Sequence, residues 1–404
     1  MNFLPKRSFL QKSLTASISL MKQILAKLKF LLSESIDSMS NTAKYPFKAL
    51  VFEGGGSTAF GHQGAIEVFH ENGLLPQIKY FAGSSSGSMM AAALACKGNP
   101  KVIRDLIMET DLKLLLDKTC FCRDLGRLAT KYGWFKGDYL EAWVGEALKR
   151  ITGNAEITFK EAFELTGNYL AITGVDMTSG DLVYMTHEST PDLTIKRAVR
   201  RSTALPLVYK PDIVKEDSMT KFYVDGGLIE NYPIDYFDDR LEIYETVGFK
   251  LFSGSELTQI NNPFINRVDP RPPRNLQDFL IRFLVMMMNR NKKMHVRSRD
   301  WSRSVKVNTG DRSSLDFNLD DDGKRELLNC GRSAAERFLI EWESTRLEVI
   351  AKDLADKSTE VETEVVETEV ETEVVETETE MDSDDIETDA DDVEMNLTEV
   401  ALDD

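Results

Sequence analysis

The stretch KYFAGSSSGSMMAAALACKG, residues 79–98, contains the residues of this chain best suited to covalent chemistry. One frame within it has the pattern Gly-x-Ser-x-Gly, with Ser85 at the centre and Gly83 and Gly87 on either side. The apolar residues before this frame predict a buried strand, and the small and apolar residues after it predict a helix. A sharp strand-to-helix turn exposes its serine as a nucleophile, and the glycines let strand and helix pack closely. We therefore predict that Ser85 is a nucleophile and that the N–H of Ser86 faces a developing oxyanion.

The same stretch also fits a simpler role, that of a Gly/Ser turn that caps a helix. Serine is favoured at helix N-caps because its hydroxyl accepts from the first free N–H groups. We interpret the side chains of Ser84, Ser86 and Ser88 in this way. Gly-x-Ser-x-Gly alone does not separate the two roles for the central serine.

Three consecutive glycines, Gly54, Gly55 and Gly56, follow the first predicted strand in KALVFEGGGSTAFGHQGAIEVFHENG. Such a run lets backbone N–H groups approach an anion without obstruction from side chains. A P-loop requires Lys where this chain has His62, and a dinucleotide fingerprint requires Gly where it has Ala59. Both nucleotide-binding alternatives therefore lack a residue that carries their mechanism. An oxyanion hole needs only the glycine amides, so this role is favoured.

An aspartate, Asp225, ends a predicted strand in YVDGGLIENYP and is followed by Gly226 and Gly227. A carboxylate at a strand end can reach a group at the end of a neighbouring strand. Asp225 lies 140 residues after Ser85, so any pairing between them has to come from the tertiary fold. Read alone, Asp-Gly-Gly is also a common turn.

The histidines and cysteines do not have the spacing of a metal site. No two of the four histidines stand at ligand spacing and no CxxC pair is present, so we predict no metal. A hydrolase triad of the order Ser, acid, His requires a histidine after the acid, and only His295 follows Asp225. We interpret His295 as part of a solvated basic helix face, and His62 and His70 as structural residues of the first helix. We interpret His187 as a loop or strand-end residue.

Strand-like runs alternate with helical runs between residues 45 and 342, which predicts one α/β domain. The predicted strands are FKALVFE, IKYFAG, NYLAITGVD, LVYMTHE and KFYVDGG. A loop rich in Pro and Asn follows at residues 261–277, then a long helix that begins DFLIRFLVMMM. This methionine-rich helix fits the core and also fits an acyl-chain groove or a membrane surface. A last helix ends within residues 343–357.

The two ends of the chain carry opposite charge. Residues 1–44 are a predicted extension, in which the first 32 residues contain six Lys and Arg and no acid. This composition is typical of a transit peptide or a basic helix on a membrane surface, and it also fits an unstructured extension. Residues 358–404 contain 13 Glu, 8 Asp and no base, so we expect a disordered acidic tail, which accounts for the net charge of −18.

The ordered series of glycine triplet, Gly-x-Ser-x-Gly and Asp-Gly-Gly resembles the patatin-like phospholipase family. The resemblance spans roughly residues 45–342 and includes YGWFKGDYLEAW, LAITGVDMTSGDLVY and AVRRSTALPLVYKP. It implies a three-layer α/β/α fold with a mostly parallel central sheet. It also implies that Ser85 is the nucleophile, that Asp225 is the base of a Ser–Asp dyad, and that the glycine triplet supplies the oxyanion hole.

The sequence departs from the family pattern directly after the glycine triplet. The family usually has a small residue, then Arg or Lys, then Gly, whereas this chain has Ser57, Thr58 and Ala59. A cation beside the oxyanion or a lipid phosphate is therefore absent at this position. The departure bears on the rate or on a preference for anionic head groups.

These patterns together predict a lipid acyl hydrolase of the phospholipase A or lysophospholipase type, which cleaves carboxylic esters of membrane or micellar lipids without a cofactor. The alternative is a catalytically weak lipid- or membrane-binding protein on the same fold. We expect no nucleic-acid partner. We expect a cytosolic or peripheral membrane location inside the cell, with membrane association or organelle targeting through residues 1–35 left open.

Overall fold

The computed structural model describes residues 44–216, 219–253, 298–310 and 312–346. Several sequence predictions fall outside these residues: the basic extension up to residue 43, the loop and methionine-rich helix between residues 261 and 297, His295 and the acidic tail. No helix of the described part is long and apolar enough to span a bilayer.

The described residues contain ten strands and nine helices. The strands are β1 (Ala49–Phe52), β2 (Tyr80–Gly83), β3 (Gly133–Phe135), β4 (Tyr169–Asp176), β5 (Asp181–Met185), β6 (Leu207–Tyr209), β7 (Asp212–Glu216), β8 (Met219–Asp225), β9 (Thr246–Phe252) and β10 (Ser304–Asn308). The helices are α1 (Phe60–Glu71), α2 (Ser86–Ala95), α3 (Pro100–Glu109), α4 (Phe121–Lys131), α5 (Asp138–Thr152), α6 (Phe159–Thr166), α7 (Ile195–Ser202), α8 (Ser298–Ser302) and α9 (321–346).

Eight of the strands form one mixed sheet in the order β10-β9-β1-β2-β4-β8-β7, with β5 paired to β4. The pairs from β10 to β4 along this order are parallel, and the pairs of β4 with β5 and β8, and of β7 with β8, are antiparallel. The two short strands β3 and β6 form a separate parallel pair. This mostly parallel sheet confirms the predicted α/β class.

Both faces of the sheet are buried, as expected where helices and loops cover a parallel sheet. Alternate residues of β1 enter different apolar clusters, because successive side chains of a strand point to opposite faces. Leu50 and Phe52 join the larger cluster, which includes residues of the helices α1, α2 and α5. Ala49 and Val51 join a smaller cluster on the other face, with Tyr232 from the segment after β8. The sheet is thus the middle layer of the domain.

The sheet topology brings three strand ends to one place. β1 and β2 are parallel and end level with each other, with Phe52 opposite Gly83. β2 runs parallel to β4, while β8 runs antiparallel to it, and their last residues pair with Ile172 and Gly174 respectively. The ends of β2 and β8 therefore approach from opposite directions and stop two residues apart along β4. Whatever follows these strands in sequence must meet at this point.

All five strands predicted from the sequence are present, and five others were not predicted. The missed strands include β3 and β6, which have three residues each and are too short to display a period. β9 pairs with the edge of β1 opposite β2, and β10 pairs with β9. This pairing depends on contacts between distant parts of the chain.

Candidate active site

Ser85 lies on a strained turn between β2 and α2. Its backbone has φ +48° and ψ −128°, a conformation that residues other than glycine rarely adopt. The amide of Ser85 donates to the Ser202 hydroxyl at 2.9 Å, which ties the turn to the end of α7. Such strain persists only where the surrounding structure enforces it, and it is concentrated at functional sites. The turn has the geometry of a nucleophile elbow.

The two glycines of the elbow stand where backbone segments touch. A Cβ atom on Gly83 would lie 2.6 Å from the carbonyl oxygen of Gly87. A Cβ atom on Gly87 would lie 2.4 Å from the carbonyl oxygen of Phe52, the last residue of β1. Any side chain at either position would push the start of α2 away from the sheet and displace Ser85.

The Ser85 hydroxyl donates to the carboxylate of Asp225, with 2.7 Å between Oγ and Oδ2. The second carboxylate oxygen accepts the amide of Gly227 at 2.8 Å, and the Asp225 amide donates to the carbonyl of Ala204 at 3.1 Å. Gly226 packs so tightly that a Cβ atom there would lie 2.1 Å from the Thr173 hydroxyl on β4. Both glycines after Asp225 thus help to aim its carboxylate at Ser85.

Asp225 is almost completely buried, and this burial raises the pKa of its carboxyl group from 3.8 to about 7. The hydrogen bonds from Ser85 and Gly227 act in the opposite direction, because they favour the charged form. A buried carboxylate with a pKa near neutrality can exchange a proton with a neighbouring hydroxyl. Perturbed groups of this kind in a cleft mark candidate active sites.

The glycine triplet follows β1 and faces the start of α2. Two of its amides are engaged: Gly54 donates to the carbonyl of Asn231 at 3.0 Å, and Gly55 donates to the Ser86 hydroxyl at 2.9 Å. Within the described residues, the amides of Gly56 and Ser86 have no hydrogen-bond acceptor. The four donors predicted for the oxyanion hole therefore divide into two engaged amides and two open ones.

Three buried polar residues, Asn231, Glu53 and Lys250, form hydrogen bonds next to the glycine triplet. The side-chain amide of Asn231 donates to the carbonyl of Gly54 at 2.9 Å and to the carboxylate of Glu53 at 3.3 Å. The ammonium of Lys250 on β9 lies 3.0 Å from the same carboxylate, whose other oxygen accepts the amide of Leu251 at 2.7 Å. Asn231 was visible only as a residue close after Asp-Gly-Gly, and Lys250 had no sequence signal.

An apolar cavity opens in front of the Ser85–Asp225 pair. Helices α2, α3 and α5, strand β6 and the segment around Leu315 supply its apolar walls. Asp225 is the sole charged side chain among the described residues that line it. A second, smaller apolar cavity lies between α2, α3 and α5. Six residues line both cavities: Gly56, Phe60, Ser86, Met89, Ile107 and Trp143.

Comparison with known protein families gives a match to the patatin-like phospholipase model over residues 50–238. This range includes the glycine triplet, the elbow serine and the aspartate paired with it. Residues 50–238 belong to the patatin-like phospholipase family. The predicted family membership is thereby confirmed.

Relatives of the patatin-like domain include proteins from a bacterium and a virus. The uncharacterized protein YqhO of Bacillus subtilis is 28% identical over 310 residues, which cover 72% of this chain and 98% of YqhO. The probable lipid hydrolase 463L of Invertebrate iridescent virus 6 is 34% identical over 205 residues, which cover 49% of this chain and 65% of 463L. The crystal structure of VipD from Legionella pneumophila matches with 16% identity and a TM-score of 0.48, over 72% of this chain and 66% of VipD.

Thr58 and Ala59, which differ from the usual family pattern, do not contact the Ser85–Asp225 pair. Thr58 is buried in a 3₁₀ turn, where its hydroxyl donates to the carbonyl of Gly55 at 2.8 Å. It does not line either cavity, and Ala59 lines only the second one. Thr58 thus fixes the backbone of the loop.

The three described histidines of the domain do not contact Ser85 or Asp225. His62 is fully buried in α1, where its Nε2 faces the carbonyl of Glu53 at 2.8 Å and burial lowers its pKa to about 4. His70 is exposed in the last turn of the same helix. The ring of His187 stacks on Phe163 with 3.8 Å between centroids. His62 is thus buried on the first helix, and His187 lies in the turn after β5, as predicted for it.

Proposed function

We propose that this protein is a lipid acyl hydrolase in which Ser85 and Asp225 act as a catalytic dyad. The observation that carries the proposal is the 2.7 Å hydrogen bond between the elbow serine and a buried carboxylate at the mouth of an apolar cavity. A nucleophile, a base within hydrogen-bond distance and a low-dielectric pocket are the parts that acyl transfer to serine requires. Membership of the patatin-like family supports lipid as the substrate class.

In the proposed reaction, Asp225 accepts the proton of the Ser85 hydroxyl as Oγ attacks the ester carbonyl carbon. The tetrahedral intermediate collapses when the ester C–O bond breaks, and the alcohol leaves with the proton held by Asp225. The acyl group then remains on Ser85. Water attacks the acyl carbonyl carbon as Asp225 takes one of its protons. The bond between Ser85 Oγ and the acyl carbon then breaks, the proton returns from Asp225 to Ser85, and the fatty acid leaves.

The negative charge on the carbonyl oxygen needs donors that are already in place. The open amides of Gly56 and Ser86 are the proposed donors, since they have no acceptor within the described residues. The amide of Gly55 becomes a third donor if the Ser86 hydroxyl rotates away from it. Ser86 also stands at the first position of α2, where the helix dipole favours negative charge.

The cavities favour an acyl chain as the group that they hold. Their walls are apolar, and the described residues that line them include no Lys or Arg to pair with a phosphate. We therefore propose that the fatty acyl chain enters the cavity and that the alcohol part of a membrane or micellar lipid stays outside. In this arrangement, Thr58 in place of a cation affects the conformation of the glycine loop more than the choice of head group.

The test is release of fatty acid from phospholipid and monoacyl lipid micelles by purified protein, compared with the Ser85→Ala variant. We expect release by the parent protein and its loss by at least about 1000-fold in the variant. Ser84→Ala is the matched control, because the neighbouring Ser84 hydroxyl is buried without a partner among the described residues. Lipid binding without any release by the parent would favour the non-catalytic alternative.

A further inference from the structure

Helix α4 has the reverse polarity of an ordinary amphipathic surface helix: charged side chains face inward and apolar ones face outward. Its buried side chains are charged, Asp124 and Arg127. Two of its three large apolar side chains face outward, since Phe121 is 68% exposed and Leu125 is 47% exposed, whereas Leu128 is half-buried. Tyr132, just beyond the helix end, is 56% exposed. The spacing of the three exposed positions places them on one side of the helix.

Specific polar contacts hold the helix in this orientation. The guanidinium of Arg127 lies 3.1 Å from the Asp124 carboxylate and donates to the backbone carbonyl of Trp134 and to the Thr119 hydroxyl. The amide of Thr119 donates to the other oxygen of Asp124 at 3.2 Å. Both charges are therefore satisfied beneath the helix. These contacts could not form if the helix were rotated about its axis, so they keep its apolar side facing outward.

The exposed apolar residues continue from α4 onto the neighbouring β7–β8 hairpin. The ring of Tyr132 lies 5.9 Å from that of Phe222 on β8. Phe222 is half-buried and pairs across the hairpin with the exposed Ile213, so both point to the same face. We call the residues Phe121, Leu125, Tyr132, Ile213 and Phe222 the outer apolar face. Contiguous exposed apolar residues of this kind mark interaction surfaces.

The charge around the α4 part of this face is positive. Residues 118–136 contain five Lys and Arg and one acid, and the acid is the buried Asp124. Lys118, Arg123 and Lys131 are exposed on this stretch. Exposed aromatic and apolar side chains flanked by bases are typical of a surface that settles into the interface of an anionic membrane.

Segments that lie next to the outer apolar face line the larger cavity. Leu112 and Leu115 of the 3₁₀ turn before α4 line that cavity, while Leu114 between them is exposed to solvent. On the other side, Val208 and Tyr209 of β6 line the cavity, and β6 pairs with β3, the strand that follows Tyr132. One short stretch of structure thus separates the face from the space proposed for the acyl chain.

We propose that the outer apolar face docks the protein on anionic lipid bilayers and brings the cavity to the membrane surface. The choice of lipid as the occupant rests in part on the proposed function, because the cavity behind the face is assigned to an acyl chain. The positive rim argues against a second copy of this chain as the occupant, since a two-fold contact would bring like charges together. The acidic residues 358–404 are the remaining alternative occupant of this face, and the test below distinguishes them from lipid.

The test is sedimentation with vesicles of phosphatidylcholine alone or mixed with phosphatidylglycerol, using the full chain with Ser85→Ala so that no lipid is hydrolysed. Phe121→Ser combined with Leu125→Ser should weaken binding to the mixed vesicles at least tenfold. Ile340→Ser is the matched control, because Ile340 is 69% exposed on α9, away from α4 in sequence. This control should bind like its parent. Unchanged binding by the double variant, with thermal melting equal to the parent, overturns the proposal.

A charge variant tests the same surface without removing apolar area. Arg123→Gln combined with Lys131→Gln should weaken binding to the mixed vesicles at low salt and leave binding to phosphatidylcholine unchanged. With Ser85 restored, both double variants should hydrolyse a soluble ester at the parent rate, so a failure of docking is distinguishable from a failure of the active site. Removal of residues 358–404 should not lower binding. If it does, or if the face variants only convert a dimer to a monomer, the proposal is wrong.

Discussion

Asp225 combines burial with a hydrogen bond from the nucleophile, and burial has the larger effect on its pKa, which is raised to about 7. The base is active only when it is deprotonated. We therefore expect kcat/KM for a soluble nitrophenyl ester to rise about tenfold per pH unit below pH 7 and to level off above it. A pH–rate profile between pH 5 and 9 measures this directly. A profile that levels off near pH 4 would mean that the active base is an ordinary, solvated carboxylate.

The same burial makes Asp225 a destabilising residue at alkaline pH. Its folded-state pKa is raised, so its contribution to stability is fully present below pH 3.8 and is lost as pH rises through about 7. Asp225→Asn should therefore increase the free energy of unfolding at pH 8, by up to about 4 kcal/mol, and change it little at pH 4. Urea unfolding of both proteins at the two pH values is the measurement. A variant less stable than its parent at pH 8 would contradict this assignment of the buried charge.

Asn231 acts through the glycine triplet and is a positioning residue. Its side chain and its carbonyl hold both polar groups of Gly54. Asn231→Ala should lower kcat about 10- to 100-fold with little change in KM, because the loop amides would lose their fixed direction. Asn168→Ala is the matched control, since the buried Asn168 also donates to a carbonyl, that of Ala95 at 3.0 Å, away from the Ser85–Asp225 pair. The control should lose stability and keep kcat. Equal loss of kcat in both would show a general effect of destabilisation.

At the scale of elements, the site depends on the ends of β2 and β8, which meet beside β4, and on the end of β1, which lies beside β2. The sequence predicted β1, β2 and β8 as strands and placed the glycine triplet, Ser85 and Asp225 at their ends. From the sequence, Asp-Gly-Gly could also be a simple turn, because Asp225 and Ser85 are 140 residues apart and no local pattern shows that they pair. The antiparallel run of β8 against β4 is what turns Asp225 toward Ser85. This direction follows from the sheet and cannot be read from a local pattern.

A buried ion pair joins Glu53, the residue directly after β1, to Lys250 on β9. Removing one partner leaves an uncompensated charge in the core. Lys250→Met should therefore destabilise the protein by about 3–5 kcal/mol, and Glu53→Gln combined with Lys250→Met should recover most of that loss. Denaturant unfolding of the three proteins measures this. A double variant no more stable than the single one would show that the contacts of the pair, and not its charge balance, support the strands.

At the scale of the whole molecule, the motif residues were predictable because each has a local signature in the sequence. Gly83 and Gly87 could be recognised from the close packing that an elbow requires, and the structure places backbone carbonyls against both. Asn231, Ser202 and Lys250 could not, since their roles come from contacts between distant segments. The reversed polarity of α4 was missed for a related reason: the sequence alone does not reveal which side of a helix is buried.

The central claim is that Ser85 is activated by Asp225 without a histidine. The most direct measurement is the rate at which a fluorophosphonate probe labels the serine, in the parent and in the variants Ser85→Ala, Asp225→Asn and His295→Ala. We expect labelling to map to Ser85, to disappear in Ser85→Ala, to slow at least about 100-fold in Asp225→Asn and to be unchanged in His295→Ala. Labelling of Asp225→Asn at the parent rate, or a loss of several orders of magnitude in His295→Ala, would contradict the dyad.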